Sequence, residues 1–507
     1  YTLAKSTSSL LDASNVSTIP LLLSNEQAQA LEPLRVITST SEQAVTAASD
    51  LTVQDIILSW SYVTQSTADV LAEVRTIIRA DTVPNSLLVD TGADSPMGAA
   101  NLFAGTLSVP YYLSAAASTN DPSPLASFWK GAGDSLLTQH NLTPVSNSTE
   151  TIPLLVSVPK TASGAVPTVI YQHGITTNRG TVLAIADSFA ANGFAVVAID
   201  MPLHGLTGNE INGTEAFKTG FERTFDLDLV TQDATGGITA ATPDGTTDSS
   251  GRHFINLSNL QNSRDNVRQA VSDLFSLTYA LTTMNAGGVT FDTSKVYFLG
   301  HSLGGMVGLT FLALEPADSV QDAVIAMSGG GIAKLLDGSA AFGPSIAAGL
   351  AAQQVIKGTP EYESFMGAAQ TVLDSGDPIN YAEAAATGRG ILFFEVVGGS
   401  GVPSDTVIPN TVPDTNDISG TTPSPLSGTD PLTRALGLTQ YNETTTAVDL
   451  KALVKFSAGD HGSILSPAAN SAVTVEMQTQ AVTFFASDLQ NGANTLSVSN
   501  SAIIAAP

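Results

Sequence analysis

The chain contains no cysteine, which excludes disulfides, thiolate metal sites and a cysteine nucleophile and leaves the redox compartment open. Basic residues are scarce as well. Nineteen Lys and Arg stand against 46 Asp and Glu, a formal net charge of −27 that repels phosphate backbones and anionic membrane surfaces and excludes nucleic acid as a partner. No apolar run approaches the ~20 residues that span a bilayer, so no transmembrane segment is expected. Charged residues make up only 13% of the chain, a composition associated with exported bacterial proteins. The first residue is Tyr1 rather than Met, from which removal of a leader or a larger N-terminal part is expected. At 507 residues the chain can bury a large core and hold more than one domain.

What is present is most informative at Gly300, His301, Ser302, Leu303 and Gly304, which fit G-x-S-x-G. The apolar, β-rich stretch 295–299 precedes them, and residues 306–314 follow with apolar side chains at helical spacing. A serine at a sharp strand-to-helix turn holds its hydroxyl clear of the sheet, and only small neighbours let the backbone turn so tightly. Ser302 therefore reads as a nucleophile.

Residues 1–95 read as a smaller N-terminal accessory domain, closed by the Gly, Asp, Ser and Pro cluster at 90–96. Within it, Ser66 and Asp69 form an N-cap pair before Val70, Leu71, Val74, Ile77 and Ile78, and residues 56–63 read as a strand. From residue 96 onward strand and helix patterns alternate: strands at 105–113, 151–158, 168–172, 195–199, 296–299, 323–327, 391–397 and 450–456. Helices fall at 181–192, 264–283, 303–314 and 471–489. This order predicts an α/β fold, a mostly parallel sheet with helices on both faces. Two insertions interrupt it. Residues 204–262 are rich in Gly, Thr, Asp and Asn, and 328–390 carry helical patterns near 346–355 and 361–373 where a lid above the strand ends belongs.

A serine hydroxyl is a weak nucleophile until an imidazole takes its proton, and the imidazole needs a carboxylate to fix its tautomer. In the order Ser, acid, His, the glycine-rich loop after strand 391–397 offers Asp405, with Asp414 and Asp417 nearby. His461, in the loop after strand 450–456, is the only one of six histidines downstream of Ser302. Because an imidazole base must be neutral, activity is expected to rise through about pH 6 to 8. Oxyanion donors are expected from the N–H of Leu303 and of Ile175, with Gly174 as the alternative. His173, His204 and His301 are expected to line the cleft, His173 and His301 as organising groups. His204 and His253 lack metal-ligand spacing, and the tract 244–248 lacks that of an EF-hand, so neither a metal nor a cofactor is expected.

These motifs, with Ala104 to Leu113, Tyr171 to Ile175, Ile199 to Gly205 and Ser263 to Gln269, resemble the α/β-hydrolase superfamily and, within it, the bacterial virulence-factor lipase family. The resemblance covers most of the chain. It implies an α/β-hydrolase fold preceded by an N-terminal domain, secreted or associated with the outer membrane of a Gram-negative bacterium. It further implies cleavage of lipid carboxylic esters, lysophospholipids among them, through an acyl-enzyme on Ser302; the apolar insertion itself is expected to act as a lid that shelters an acyl chain and opens at a lipid surface. A broad esterase or polyester hydrolase would use the same residues, because the triad reports reaction type and not substrate. Outside the enzymes, a surface binding module on a hydrolase fold is the competing class.

Overall fold

The computed structural model describes residues 8–59, 64–208, 214–233, 236–399, 401–413 and 422–507. Its chain divides into two compact units, residues 1–65 and 66–507.

In the first unit the main element is helix α1, Asn25–Ala47, opened by a capping box between Ser24 and Gln27. No apolar stripe organises this helix: it buries Arg35, Ser39 and Glu42, whereas Leu34 and Ile37 are exposed. Residues 56–59 form no strand, and Ile57 and Leu58 point to solvent. The rest of the strand expected at 56–63 lies outside the described residues.

The second unit starts earlier than the sequence cut at 95. Helix α2, Asp69–Ala80, buries Val70, Leu71, Val74 and Ile78, as its periodicity predicts. Its N-cap is Ala68 rather than Ser66, whose hydroxyl binds the Asp69 carboxylate instead of a helix N–H. Arg75 and Arg79 both pair with buried Glu315, which fastens α2 to the sheet body. Strand β1, Ser86–Asp94, then pairs antiparallel with β2, Ala100–Tyr111. The cluster at 90–96 is thus the end of a strand and a turn, not a boundary.

In chain order there follow β3, Ser148–Pro159; β4, Ala165–Gln172; helix α3, Leu183–Ala190; β5, Ala195–Ile199; and helix α4, Leu260–Ala280. Next come β6, Val289–His301; helix α5, Leu303–Leu314; β7, Ala323–Ala326; and helices α6, Ile332–Gly338, α7, Gly343–Ala352, and α8, Pro360–Leu373. The chain closes with β8, Ile391–Val396; β9, Thr439–Gln440; β10, Lys451–Phe456; and helix α9, Ser471–Asn491. The sheet order is β1-β2-β3-β5-β4-β6-β7-β8-β10-β9. Strands β1 to β3 are antiparallel, and everything from β5 across to β9 is parallel. Parallel strands need crossovers, and the helices that supply them cover both faces. Along β5, Ala195, Val197 and Ile199 pack on one face, where α4 and α5 lie, while Val196 and Ala198 pack on the other, beside α3 and α9.

The first insertion is held by buried charge. The Arg179 guanidinium bonds Asp200 at the end of β5, both carboxylate oxygens of Glu222 and the Phe217 carbonyl, all in water-excluded surroundings. Burial disfavours the Arg179 charge, but the two carboxylates outweigh it and raise its pKa above the usual value. Arg223 repeats the arrangement with Asp273 of α4. Asp248, expected on a solvated turn, is buried and accepts from the Leu229 N–H and from His253 Nε2. In the second insertion Asp377 accepts from the N–H groups of Gly331 and Ile332 and so caps α6. Asp337 accepts from Tyr362 and Lys357, tying α6 to α8. Among the described residues no single helix is long and apolar enough to cross a membrane.

Candidate active site

Strand β6 ends at His301, helix α5 begins at Leu303, and Ser302 forms the whole turn between them, with φ 56° and ψ −123°. That conformation is strained for a residue with a side chain, and the surroundings fix it. The Ser302 N–H donates to the Ala326 carbonyl at 2.8 Å, and the glycines on either side admit no Cβ. One on Gly300 would lie 2.7 Å from the Gly304 oxygen, and one on Gly304 only 2.1 Å from the Gln172 oxygen. Glycine is required here by close approach.

The remaining groups arrive from loops at the C-terminal ends of three other strands. After β8 the Asp405 N–H donates to the Val396 carbonyl at 3.0 Å, turning the carboxylate inward. Its Oδ1 accepts from the Val407 and Ile408 N–H groups at 2.8 and 2.9 Å. Its Oδ2 accepts from His461 Nδ1 at 2.7 Å, in the loop after β10. A carboxylate so satisfied stays an acceptor and leaves Nε2 of His461 as the free ring nitrogen. The His461 main-chain oxygen accepts from His301 Nε2 at 2.8 Å, and the two rings lie 5.0 Å apart at their centroids. The loop bearing His461 is thereby tied to the residue before Ser302. The hydrogen bonds of His461 run to Asp405 and His301, and none runs to Ser302.

After β4 the Gly174 carbonyl accepts from His173 Nδ1 at 2.8 Å, from the Thr177 N–H at 3.3 Å and from the Thr177 hydroxyl at 2.8 Å. His173 Nε2 accepts the Met201 N–H at 3.1 Å, so the proton sits on Nδ1. Three donors on one carbonyl fix the Gly174–Ile175 peptide plane, and the Ile175 N–H faces away from them. The Leu303 N–H, first in its helix, likewise has no acceptor within it. Gly174 abuts the nucleophile turn, where an added Cβ would lie 3.0 Å from that of Ser302.

Ser302, Leu303 and Ile175 border a narrow apolar cavity of about 70 Å³, walled by α4 and by α6 to α8 of the second insertion. His173, His204 and His301 do not line it: each is buried, at 0, 0 and 5% exposure. Burial first, then the neighbouring His461, pushes the His301 pKa down to about 3, and burial, then neighbouring His173, holds that of His204 well below its usual value. His204 packs between His173 and Phe254 rather than at an entrance. Asp200 is likewise turned away from the cleft, into the Arg179 network. Asp414 and Asp417 lie outside the described residues. Sequence reasoning missed Arg179, Glu222, Arg223 and the buried Glu395.

Glu395 sits one residue before the end of β8, 3.2 Å from Lys455 of β10. Burial, then Asp430, pushes its carboxyl from 4.5 up to about 7 against the pull of Lys455. A carboxyl that titrates higher when folded contributes stability present below about pH 4.5 and lost as pH rises toward 7. Glu395→Gln is expected to escape that loss. Its stability relative to wild type, followed by chemical denaturation, should grow between those limits by as much as about 3 kcal/mol. A difference independent of pH would contradict this.

Residues 167–376 match a family model described as alpha/beta hydrolase fold. With the strand order and the serine turn above, the chain has the α/β-hydrolase fold. No curated protein matches it. Among solved structures it is similar to an acetyl xylan esterase from Paenibacillus sp. R4, at 14% identity and a TM-score of 0.42, over 83% of this chain and 96% of that one. It is also similar to acetyl xylan esterase 1 from Thermoanaerobacterium sp. JW/SL YS485, at 16% and 0.38, over 82% and 95%. A third, an S-formylglutathione hydrolase from Agrobacterium tumefaciens, gives 12% and 0.40, over 79% and 98%.

Proposed function

We propose that the protein is a serine ester hydrolase that accepts an apolar acyl group. The observation that carries this reading is the opening of a strained serine turn into an apolar cavity, beside a loop that holds a histidine bonded to a buried carboxylate. In this mechanism Ser302 attacks the ester carbonyl as His461 takes its proton, and Asp405 holds the imidazole tautomer and stabilises its cationic form. The N–H groups of Leu303 and Ile175 receive the developing oxyanion. The alcohol departs with the proton from His461. Water, deprotonated by the same imidazole, then releases the acid and restores the serine.

The resemblance to the virulence-factor lipases supports lipid esters, lysophospholipids among them, as substrates. A second reading, an esterase for short acyl groups, is favoured by the way α7 and α8 crowd the cavity from the second insertion. Hydrolysis rates across esters from acetyl to long-chain acyl and lysophospholipid separate the two.

The reaction class is tested with a fluorophosphonate, which phosphonylates an activated serine. Wild type should be labelled on the peptide that contains Ser302, and Ser302→Ala should not react. Equal labelling of both proteins would sink the assignment, and so would a folded wild type that stays unlabelled.

A further inference from the structure

We propose that His301 is a positioning residue for the base: its ring N–H holds the main chain of His461 where that imidazole can serve Ser302. This rests on the reading of Ser302 and His461 as nucleophile and base.

His301 is the last residue of β6, in register with Ala326 of β7, so its backbone is set by the sheet rather than by a loop. Its side chain reaches the 457–463 loop, with Nε2 at 2.8 Å from the His461 carbonyl oxygen. A carbonyl only accepts, so Nε2 carries the proton and the tautomer is fixed. Burial keeps the ring neutral through any working pH. The other nitrogen, Nδ1, is buried without a hydrogen-bond partner and lies against Gly174, where an added Cβ would sit 3.1 Å away. The whole polar function of this ring is therefore a single donated bond.

Asp405 orients the imidazole of His461 but does not hold its main chain. The bonds of the residues flanking His461 are local, Asp460 and Ser463 bonding each other through backbone and side chain, while farther out the Ser457 N–H donates to the Ile503 carbonyl and Gln478 Nε2 to that of Ile464. His301 adds a tie from the turn to the nucleophile strand, one residue from Ser302. Because displacement of a catalytic group by about 1 Å can cost ~10²-fold in rate, a bond that sets this spacing acts on turnover more than on binding. A side chain that only fills space would serve as well without its N–H.

The experiment compares wild type, His301→Leu and His301→Gln on p-nitrophenyl acetate, with folding checked by circular dichroism and thermal unfolding. Leucine fills the space without a donor, whereas glutamine presents an Nε2–H near the same carbonyl. The expected result is a kcat about 10- to 100-fold lower for His301→Leu at nearly unchanged KM, with His301→Gln restoring most of it. A folded leucine variant with wild-type kcat overturns the proposal, and so does an equal loss in both variants, which would make packing the cause. If His301→Leu fails to fold, His301→Met takes its place with the same two outcomes. Fluorophosphonate labelling of wild type is run alongside: its absence removes the reading of the site and this role together, while labelling of Ser302 with an unaffected leucine variant removes only the role of His301.

Discussion

Replacing His461 with alanine should lower kcat on any ester the protein hydrolyses by about 10⁶-fold, and adding Ser302→Ala to it should lower it hardly further. The reason lies in how the groups depend on one another. The hydroxyl is useful only when the imidazole can take its proton, so removing either partner removes the same step. Asp405→Asn should cost less, on the order of 10⁴-fold, because the amide keeps the loop in place while spoiling the acceptor that fixes the Nδ1–H tautomer. What survives in the variants is the contribution of the oxyanion donors, which none of the three substitutions removes, and of the acyl cavity, whose lining changes only at the Ser302 hydroxyl. Steady-state kinetics on one soluble ester, with the folded fraction of each variant determined by thermal unfolding, measures all of this. Losses that multiply in the double variant would mean that Ser302 and His461 act in separate steps.

The largest effect on stability is expected at Arg179. Its NH2 group donates to Glu222 Oε1 at 2.7 Å and to the Phe217 carbonyl at 2.8 Å. NH1 reaches Glu222 Oε2 at 2.7 Å as well as Asp200, and the Arg179 main-chain N–H donates to Asp200 Oδ1 at 2.6 Å. All three side chains have 1% of their surface exposed or less. Arg179→Ala leaves two carboxylates out of water with no countercharge between them, a situation that costs about 3 to 5 kcal/mol. Replacing the whole group with neutral counterparts, Arg179→Met with Asp200→Asn and Glu222→Gln, should recover most of the loss, since the penalty comes from the orphaned charges. Denaturant unfolding of the two variants tests this. A loss below about 1 kcal/mol for Arg179→Ala would show that the insertion is held by something else.

Which parts of this could be read from sequence follows from what each part depends on. The central strands were legible where both faces are buried, so β5, β8 and the second half of β6 read as short apolar runs between turn residues, while the more exposed first half of β6, 289–295, did not. Helix α5 begins at the residue expected from the serine motif. Loops after β8 and β10 could be ordered along the chain, and the structure brings Asp405 and His461 together across them. Helix α1 escaped notice because its larger apolar residues, Leu34 and Ile37 among them, are exposed, and three of its four buried positions, Arg35, Ser39 and Glu42, are polar. Strand β1 was missed for a related reason: Leu87 and Val89 are 62 and 57% exposed, so burial does not follow hydrophobicity there. The expected cut at 95 fell inside the hydrolase unit for want of that strand.

The histidines illustrate a different limit. His173, His204 and His301 flank motif residues in sequence, which suggested a place in the cleft, yet each side chain turns beneath the surface to meet a backbone carbonyl. Sequence position tells where a residue starts and not where its side chain ends. The Arg179 network is silent for another reason: its members lie on separate loops and on α4, with no period linking them.

Activity requires that Ser302, His461 and Asp405 form one working site under the second insertion. The crystal structure of the fluorophosphonate adduct measures this most directly. Phosphorus should be bonded to Ser302 Oγ, with one phosphoryl oxygen about 2.7 to 3.1 Å from the N–H groups of Leu303 and Ile175 and His461 Nε2 within hydrogen-bond reach of the phosphonate. Phosphorus on any other residue, or a His461 ring bonded to Asp405 but beyond reach of the adduct, would contradict it.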